Sequence, residues 1–251
     1  MGQQTDDEAL VLRSVPFGEA DLVVTLLTAQ HGRIGAFARS ARKSTKRFAG
    51  GIGPFSLLQV SWVPRAEGLC SLTSSDVIRR WTGLTDLLVR TVAAALVVEV
   101  IEHGLEEGQG DETLFDRVAR FFDWLATQTA AERIEAGVCR FVMALMDDAG
   151  IGIDLTCSSR SQVDAESLHA PMLVFGGGLV DASERHVGET GVGLSRASLD
   201  WLRTIQSGRF PAADRETSRE GRVALLAYAQ GTTGRELRTL GFYREVVDPL
   251  A

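Results

Sequence analysis

The sequence predicts an α+β chain in which a small β-barrel of five strands precedes a mainly α-helical region. Three observations carry this. Within the first eighty residues, five short segments rich in β-branched and aromatic residues alternate with Gly, Pro and charged clusters. After Leu84 the hydrophobic period lengthens from about two residues to about 3.6. The charge changes sign at the same place: residues 9–80 hold ten Arg and Lys against four Asp and Glu, whereas residues 81–251 hold 16 against 26. The net charge of −7 therefore hides a basic module joined to an acidic one.

The predicted strands are Ala9–Val15, Leu22–Thr28, Arg33–Ala38, Phe55–Val63 and Leu69–Val77. Leu22, Val24 and Leu26 alternate with Val23, Thr25 and Leu27, so the second strand is either buried on both faces or lines a barrel interior. Leu57 to Val63 alternates more cleanly. Five short strands with a basic loop among them suit an OB-fold, whose faces and loops bind oligonucleotides.

The helical pattern starts with an apolar helix from Leu84 to about Gly104, ended by that glycine and the Gly108/Gly110 loop. A second helix runs Glu112–Gln128, with Leu114, Phe115, Val118, Phe121, Phe122 and Leu125 on one face; a third, Ala131–Ala149, aligns Ile134, Val138, Phe141, Val142, Leu145 and Met146. The three are expected to form a bundle. Residues 150–190 break the pattern, and Ser195–Ser207 and Ser218–Gly231 resume it. The domains read as 1–82 and 83–251, with 151–190 inserted in the second.

Several classes are excluded or unsupported. Thr91 to Ile101 is interrupted by Glu99 and is too short for a membrane span, which needs about 20 apolar residues. Met1 to Glu8 lacks the basic and apolar regions of a secretory signal, which points to the cytoplasm. Cys70, Cys139 and Cys157 are odd in number and far apart, which suits reduced thiols. No GxSxG, HExxH or paired Cys/His motif supports an enzyme. Gly176 to Gly178 lacks the residues of a P-loop or a dinucleotide fingerprint and reads as a hairpin turn.

The segment Arg39-Ser-Ala-Arg42-Lys43-Ser-Thr-Lys46-Arg47-Phe48 places five cations in nine residues without an interleaved acid. With Arg33, these residues are candidate phosphate contacts; the alternative is a solvated surface loop. Phe37, Phe48 and Trp62 lie near them and could stack on bases or fill the barrel core. Cys157-Ser-Ser-Arg160 and Asp181-Ala-Ser-Glu184 have the spacing of two CxxC hooks with three of the four thiols missing, and His169 and His186 supply no recognisable ligand pair. A structural zinc needs four ligands, usually Cys or His, so no metal and no cofactor are expected.

The run from Ala9 through Phe17-Gly18-Glu19-Ala-Asp21 to Thr28, then Gly32-Arg33, Ala38-Arg39-Ser-Ala-Arg42-Lys43, Arg47-Phe48-Ala-Gly50 and Pro54-Phe55, resembles the bacterial recombination mediator family RecO. Gly234-Arg235-Glu236-Leu237-Arg238-Thr-Leu240 resembles its terminal helix, so the likeness spans about residues 9–245. It implies an N-terminal OB-fold, a helical domain and a zinc-ribbon insertion that is degenerate here. It also implies binding of single- and double-stranded DNA, annealing of complementary strands, and work with RecR, and often RecF, to load RecA onto strands coated by single-stranded-DNA-binding protein, in the cytoplasm at the nucleoid. The family binds the acidic tail of that coating protein on its helical domain; Arg117, Arg120, Arg133 and Arg140 are candidate contacts, with ordinary surface arginines as the alternative.

Overall fold

The structure, a computed structural model, describes residues 3–65, 67–104, 108 and 112–248. Of the loop expected to end the first helix, Gly110 lies outside these residues.

Strands β1 (Thr5–Phe17), β2 (Asp21–Thr28), β3 (Gly32–Ala38), β4 (Phe48–Ala49), β5 (Ser56–Val63) and β6 (Cys70–Arg80) form one sheet. The order β3-β2-β1-β5-β6 closes into a five-stranded barrel through parallel pairing of β3 with β6, while β4 adds two residues alongside β6. Alternation explains the closure. Leu22, Val24 and Leu26 of β2 and Leu58, Val60 and Trp62 of β5 point into the core, where they meet Ile34, Ala36 and Leu72. Their neighbours Val23, Thr25, Leu57 and Ser61 stay less buried on the outside, apart from Leu27, which is also covered. A bulge between Val11 and Arg13 lets Ala9 to Leu12 be buried in succession.

β1 begins four residues before its apolar run. Thr5 to Glu8 pair with Trp62 to Gln59, and the buried Asp7 accepts hydrogen bonds from Gln30 N (3.2 Å) and pairs with His31 Nδ1 (2.9 Å).

The helices are α1 (Leu88–Gly104), α2 (Glu112–Leu125), α3 (Ala131–Asp148), α4 (Arg196–Gln206), α5 (Arg215–Thr233) and α6 (Thr239–Val247). The chain divides into two compact units: the barrel with α2, and the remaining helices with a small sheet. Of the three helices expected to form one bundle, α1 and α3 pack together in the second unit, and α2 belongs to the first. α2 belongs with the barrel because its apolar face is aromatic and finds aromatic partners there. Phe122 packs edge to face on Phe55 (5.7 Å between centroids) and on Trp81 (5.4 Å). Trp81 Nε1 donates to Asp123 Oδ1 at 2.6 Å, and Arg79 pairs with the same carboxylate.

In the second unit α1 packs on α3 and α6, and α3 packs on α4 and α5. Asp214 caps α5 by accepting from Thr217 N, and Gly234 ends it in the left-handed conformation (φ 66°) that glycine adopts without steric cost. Residues 234–238, read from sequence as part of the terminal helix, therefore form the link before it. Glu99 of α1 accepts from Arg238 N (2.7 Å) and Thr239 N (2.8 Å), satisfying donors at the start of α6.

Arg222 of α5 is fully buried, 3.5 Å from Glu135 of α3, hydrogen-bonded to Asp248 and stacked near the ring of Tyr243. Burial pushes the Glu135 carboxyl up from 4.5 to about 7, against the pull of Arg222; Asp248 and Glu132 raise it further, while Ser218 lowers it. A carboxyl with a raised folded pKa stabilises the fold fully below its unfolded pKa, and that contribution is lost as pH rises through its folded value. Conformational stability is accordingly expected to fall between pH 4.5 and 7 through this group, and Glu135→Gln should flatten the fall. Urea unfolding across this range checks it; an unchanged profile in the variant would assign the titration elsewhere.

Residues 150–190 and their flank hold β7 (Pro171–Val174), β8 (Gly178–Asp181) and β9 (Gly191–Gly193), in the order β8-β7-β9. The glycine run is the β7–β8 turn, with Gly176 and Gly178 at positive φ. The four positions at hook spacing hold one another and their neighbours by hydrogen bonds. Glu184 Oε2 accepts from Ser158 Oγ (2.6 Å) and Asp181 N (2.9 Å), Asp181 accepts from the His169, Ala170 and Ser183 amides, and Arg160 pairs with Glu189 at 2.5 Å. Those donors, led by the Ala170 amide, hold the Asp181 carboxyl well below the usual carboxylate range. The Cys157 thiol faces Asp154 and Gln162. One thiol, an arginine and two carboxylates already engaged do not fit a tetrahedral zinc site. Purified protein is expected to carry well under one equivalent of zinc by atomic emission and to keep its melting temperature in a strong chelator; a stoichiometric metal signal would overturn this.

Candidate nucleic-acid interface

The basic segment joins β3 to β4 and is fixed at both ends. At its start, Arg42 N donates to Ala20 O (2.9 Å) in the β1–β2 turn, and Ser40 N donates to Asp21 Oδ1 (2.7 Å). Ser40 sits at φ 58°, a region uncommon for residues other than glycine, and the Asp21 bond offsets that cost. Ala41 tucks into the barrel core. At its end, Phe48 is 2% exposed, and Ser75 N of β6 donates to Arg47 O (2.7 Å).

Between these anchors Arg39, Arg42, Lys43, Lys46 and Arg47 are all exposed. Arg42 and Arg47 donate to the carbonyls of Glu19 (3.4 Å) and Arg39 (2.9 Å), contacts that orient the guanidinium groups without cancelling charge. Among the described residues the loop's one ion pair is Lys43 with Glu19 at 3.9 Å, both side chains largely exposed; such pairs are worth about 1 kcal/mol or less. The fold thus brings together five of the six candidate cations. Arg33 is not with them: it is half-buried at the other end of β3, six residues or about 20 Å of extended strand from Arg39.

The three candidate aromatics separate. Phe48 and Trp62 (5% exposed) are barrel core, with Trp62 packed edge to face on His31. Phe37 is half-exposed on the outer wall, and Phe17, which is not among the three candidate aromatics, lies against it with centroids 5.7 Å apart and planes at 80°. Phe17 is 58% exposed. Its signal was the apolar run Val15-Pro16-Phe17 at a strand end beside a charged turn; the bulge after Val11 hid which side of the sheet that run would occupy.

Arg117 (half-buried) and Arg120 (exposed, 3.1 Å from Asp116) stand on α2 in the first unit; Arg133 (exposed) and Arg140 (half-buried) stand on α3 in the second. They are two pairs on separately packed units. Among the described residues no group of three or more His, Cys, Asp and Glu side chains is placed to hold a metal.

Comparison with known proteins agrees with the resemblance read from the sequence. Residues 1–81 match the family model described as recombination protein O N terminal, and residues 86–241 match recombination protein O C terminal. The chain is 32% identical to the DNA repair protein RecO of Anaeromyxobacter dehalogenans (strain 2CP-C) over 246 residues, which covers 94% of each chain. It is 29% identical to that of Myxococcus xanthus (strain DK1622), covering 97% of this chain and 98% of the relative. A barrel of OB type, a helical second unit, and matches to both family models across nearly the whole length place this chain in the RecO family of DNA repair and recombination proteins.

Proposed function

We propose that the protein is a non-enzymatic mediator that binds single- and double-stranded DNA on the barrel, anneals complementary strands, and works with RecR, and with RecF where it is used, to load RecA onto strands coated by single-stranded-DNA-binding protein. The observation that carries the reading is the anchored loop: five exposed cations held on a barrel rim in a chain whose net charge is −7. Evenly spread charge would repel DNA; concentrated cations instead neutralise phosphates and release their counterions. Annealing then needs no catalytic group. Two backbones held on one cationic surface repel each other less, and unstacked bases are free to pair. Arg117 and Arg120 on the first unit, and separately Arg133 and Arg140 on the second, are proposed as alternative contacts for the acidic tail of the coating protein. No described helix is long and apolar enough to cross a membrane, and the proposed place of action is the nucleoid.

A salt titration tests the DNA reading against a barrel that binds only protein. If all five loop cations contact phosphates, log affinity for a single strand should fall with log salt at a slope of about −3.5. A slope near zero would sink the reading.

A further inference from the structure

We infer that Phe17 and Phe37 form a base-stacking step on the outer barrel wall, which makes the protein favour strands with unstacked bases over duplex, while the neighbouring loop serves both. This rests on the barrel binding nucleic acid through that loop.

The first argument is exposure. Elsewhere in the barrel the large aromatics are buried, Phe48 at 2% and Trp62 at 5%, yet Phe17 keeps 58% of its surface in water. Val15 (38% exposed) and Val23 add an apolar floor: Val15 pairs with Val23, Val23 with Phe37, and Phe37 with Ser71, one row across four strands, while Phe17 in the next row pairs with Asp21. The adjoining row is Arg13, Thr25 and Gly35, so one flank of the floor is lined by a cation, a hydroxyl and a residue without a side chain.

The second argument is ring geometry. Phe17 and Phe37 meet edge to face. In that arrangement the ring presenting its edge keeps both faces clear of its partner, and the other keeps one. A flat apolar group can lie on such a face at the van der Waals distance that base–aromatic stacking uses.

The third is the company the rings keep. Phe17 is followed at once by the Gly18–Ala20 turn, and Ala20 O in that turn accepts the amide of Arg42. Arg39 follows β3 one residue after Ala38, which pairs with Leu22. The aromatic step and the cations are thus built on the same three strand ends. An occupant with flat apolar faces joined by regularly spaced negative charges fits both features, and that is a nucleic-acid strand. In a duplex the base faces are already used in the stack, so the rings add nothing; the phosphates are equally available in both forms. Selectivity for unpaired strands therefore has to come from the step and not from the loop.

The test uses the full chain and three probes with equal phosphate count at one salt concentration: an oligothymidine strand, an abasic strand and a duplex. By fluorescence anisotropy the unmodified protein should bind oligothymidine about tenfold more tightly than the abasic strand, the scale of one stacked base. Phe17→Ala with Phe37→Leu should bring oligothymidine down to the abasic level and leave the other two probes and the salt slope unchanged, while Phe17→Tyr should retain the preference. Circular dichroism melting checks the fold, and if Phe37→Leu unfolds the barrel, Phe17→Ala alone at its exposed position carries the test. Variants that weaken all three probes equally, or none, overturn the step. So does loss of affinity for an acidic peptide with DNA binding unchanged, which would make the patch a protein site. A steep salt slope without any base preference in the unmodified protein removes the step and keeps the loop; no binding to any probe removes both.

Discussion

Replacing Arg42, Lys43 and Lys46 together with Ala is expected to weaken single-strand binding roughly fiftyfold at about 0.15 M salt and to take about two units off the log–log salt slope. Both figures come from one source: each lost phosphate contact forfeits about 0.7 of a released counterion, and three contacts are removed. The effect should not depend on base sequence, because the contacts proposed for these cations are to phosphates. It should also leave the fold intact. All three side chains are exposed, and such changes normally alter stability by about 0.5 kcal/mol or less. The loop keeps its anchors in the variant, since the Arg42 amide still donates to Ala20 O and Phe48 is untouched. A variant with the parental slope and affinity would mean that the loop is only a solvated feature, with Arg13, Arg33 or Arg65 left to carry the path.

The largest stability effect is expected from Phe122→Ala, at about 3–5 kcal/mol. Phe122 has no exposed surface, and it sits against Phe55, Trp81 and Phe121 in one aromatic cluster. Truncating it removes the ring's burial and the edge-to-face contacts together, and it leaves a cavity between α2 and the barrel that rigid strands cannot fill. Against a typical total of about 5–15 kcal/mol, such a loss is enough to put the first unit near unfolding. Urea unfolding followed by tryptophan fluorescence checks it. A change below about 0.5 kcal/mol, the usual ceiling for a surface site, would contradict the packing of α2 on the barrel.

The sequence was most informative where one face of an element is buried and the other is wet. β2 and β5 could be read from Leu22-x-Val24-x-Leu26 and Leu58-x-Val60-x-Trp62 because inward positions recur every second residue in a barrel wall. It was least informative where polar residues do structural work. Thr5 to Glu8 belong to β1, yet nothing in an acidic run announces that Asp7 turns inward to meet His31. An amphipathic pattern also does not name its partner: the face of α2 was plain in the sequence, while its place beside Phe55 and Trp81 depends on contacts some forty to seventy residues away. The candidate site divides in the same way. Charge without compensation picked out the basic loop, but recognising that Phe17 lies on the outer face required knowing where the bulge in β1 falls. The hook spacing at Cys157 and Asp181 was visible; that Arg160, Asp181 and Glu184 are tied up in hydrogen bonds was not.

The most direct measurement of the central claim is fluorescence-monitored annealing of two complementary strands, each coated with the cognate single-stranded-DNA-binding protein. The account predicts that the protein speeds annealing well above the spontaneous rate, that the gain shrinks steeply as salt rises, and that the Arg42, Lys43 and Lys46 triple variant loses most of it. An annealing rate that stays at the spontaneous value at low salt, or a gain indifferent to both salt and the triple substitution, would contradict it.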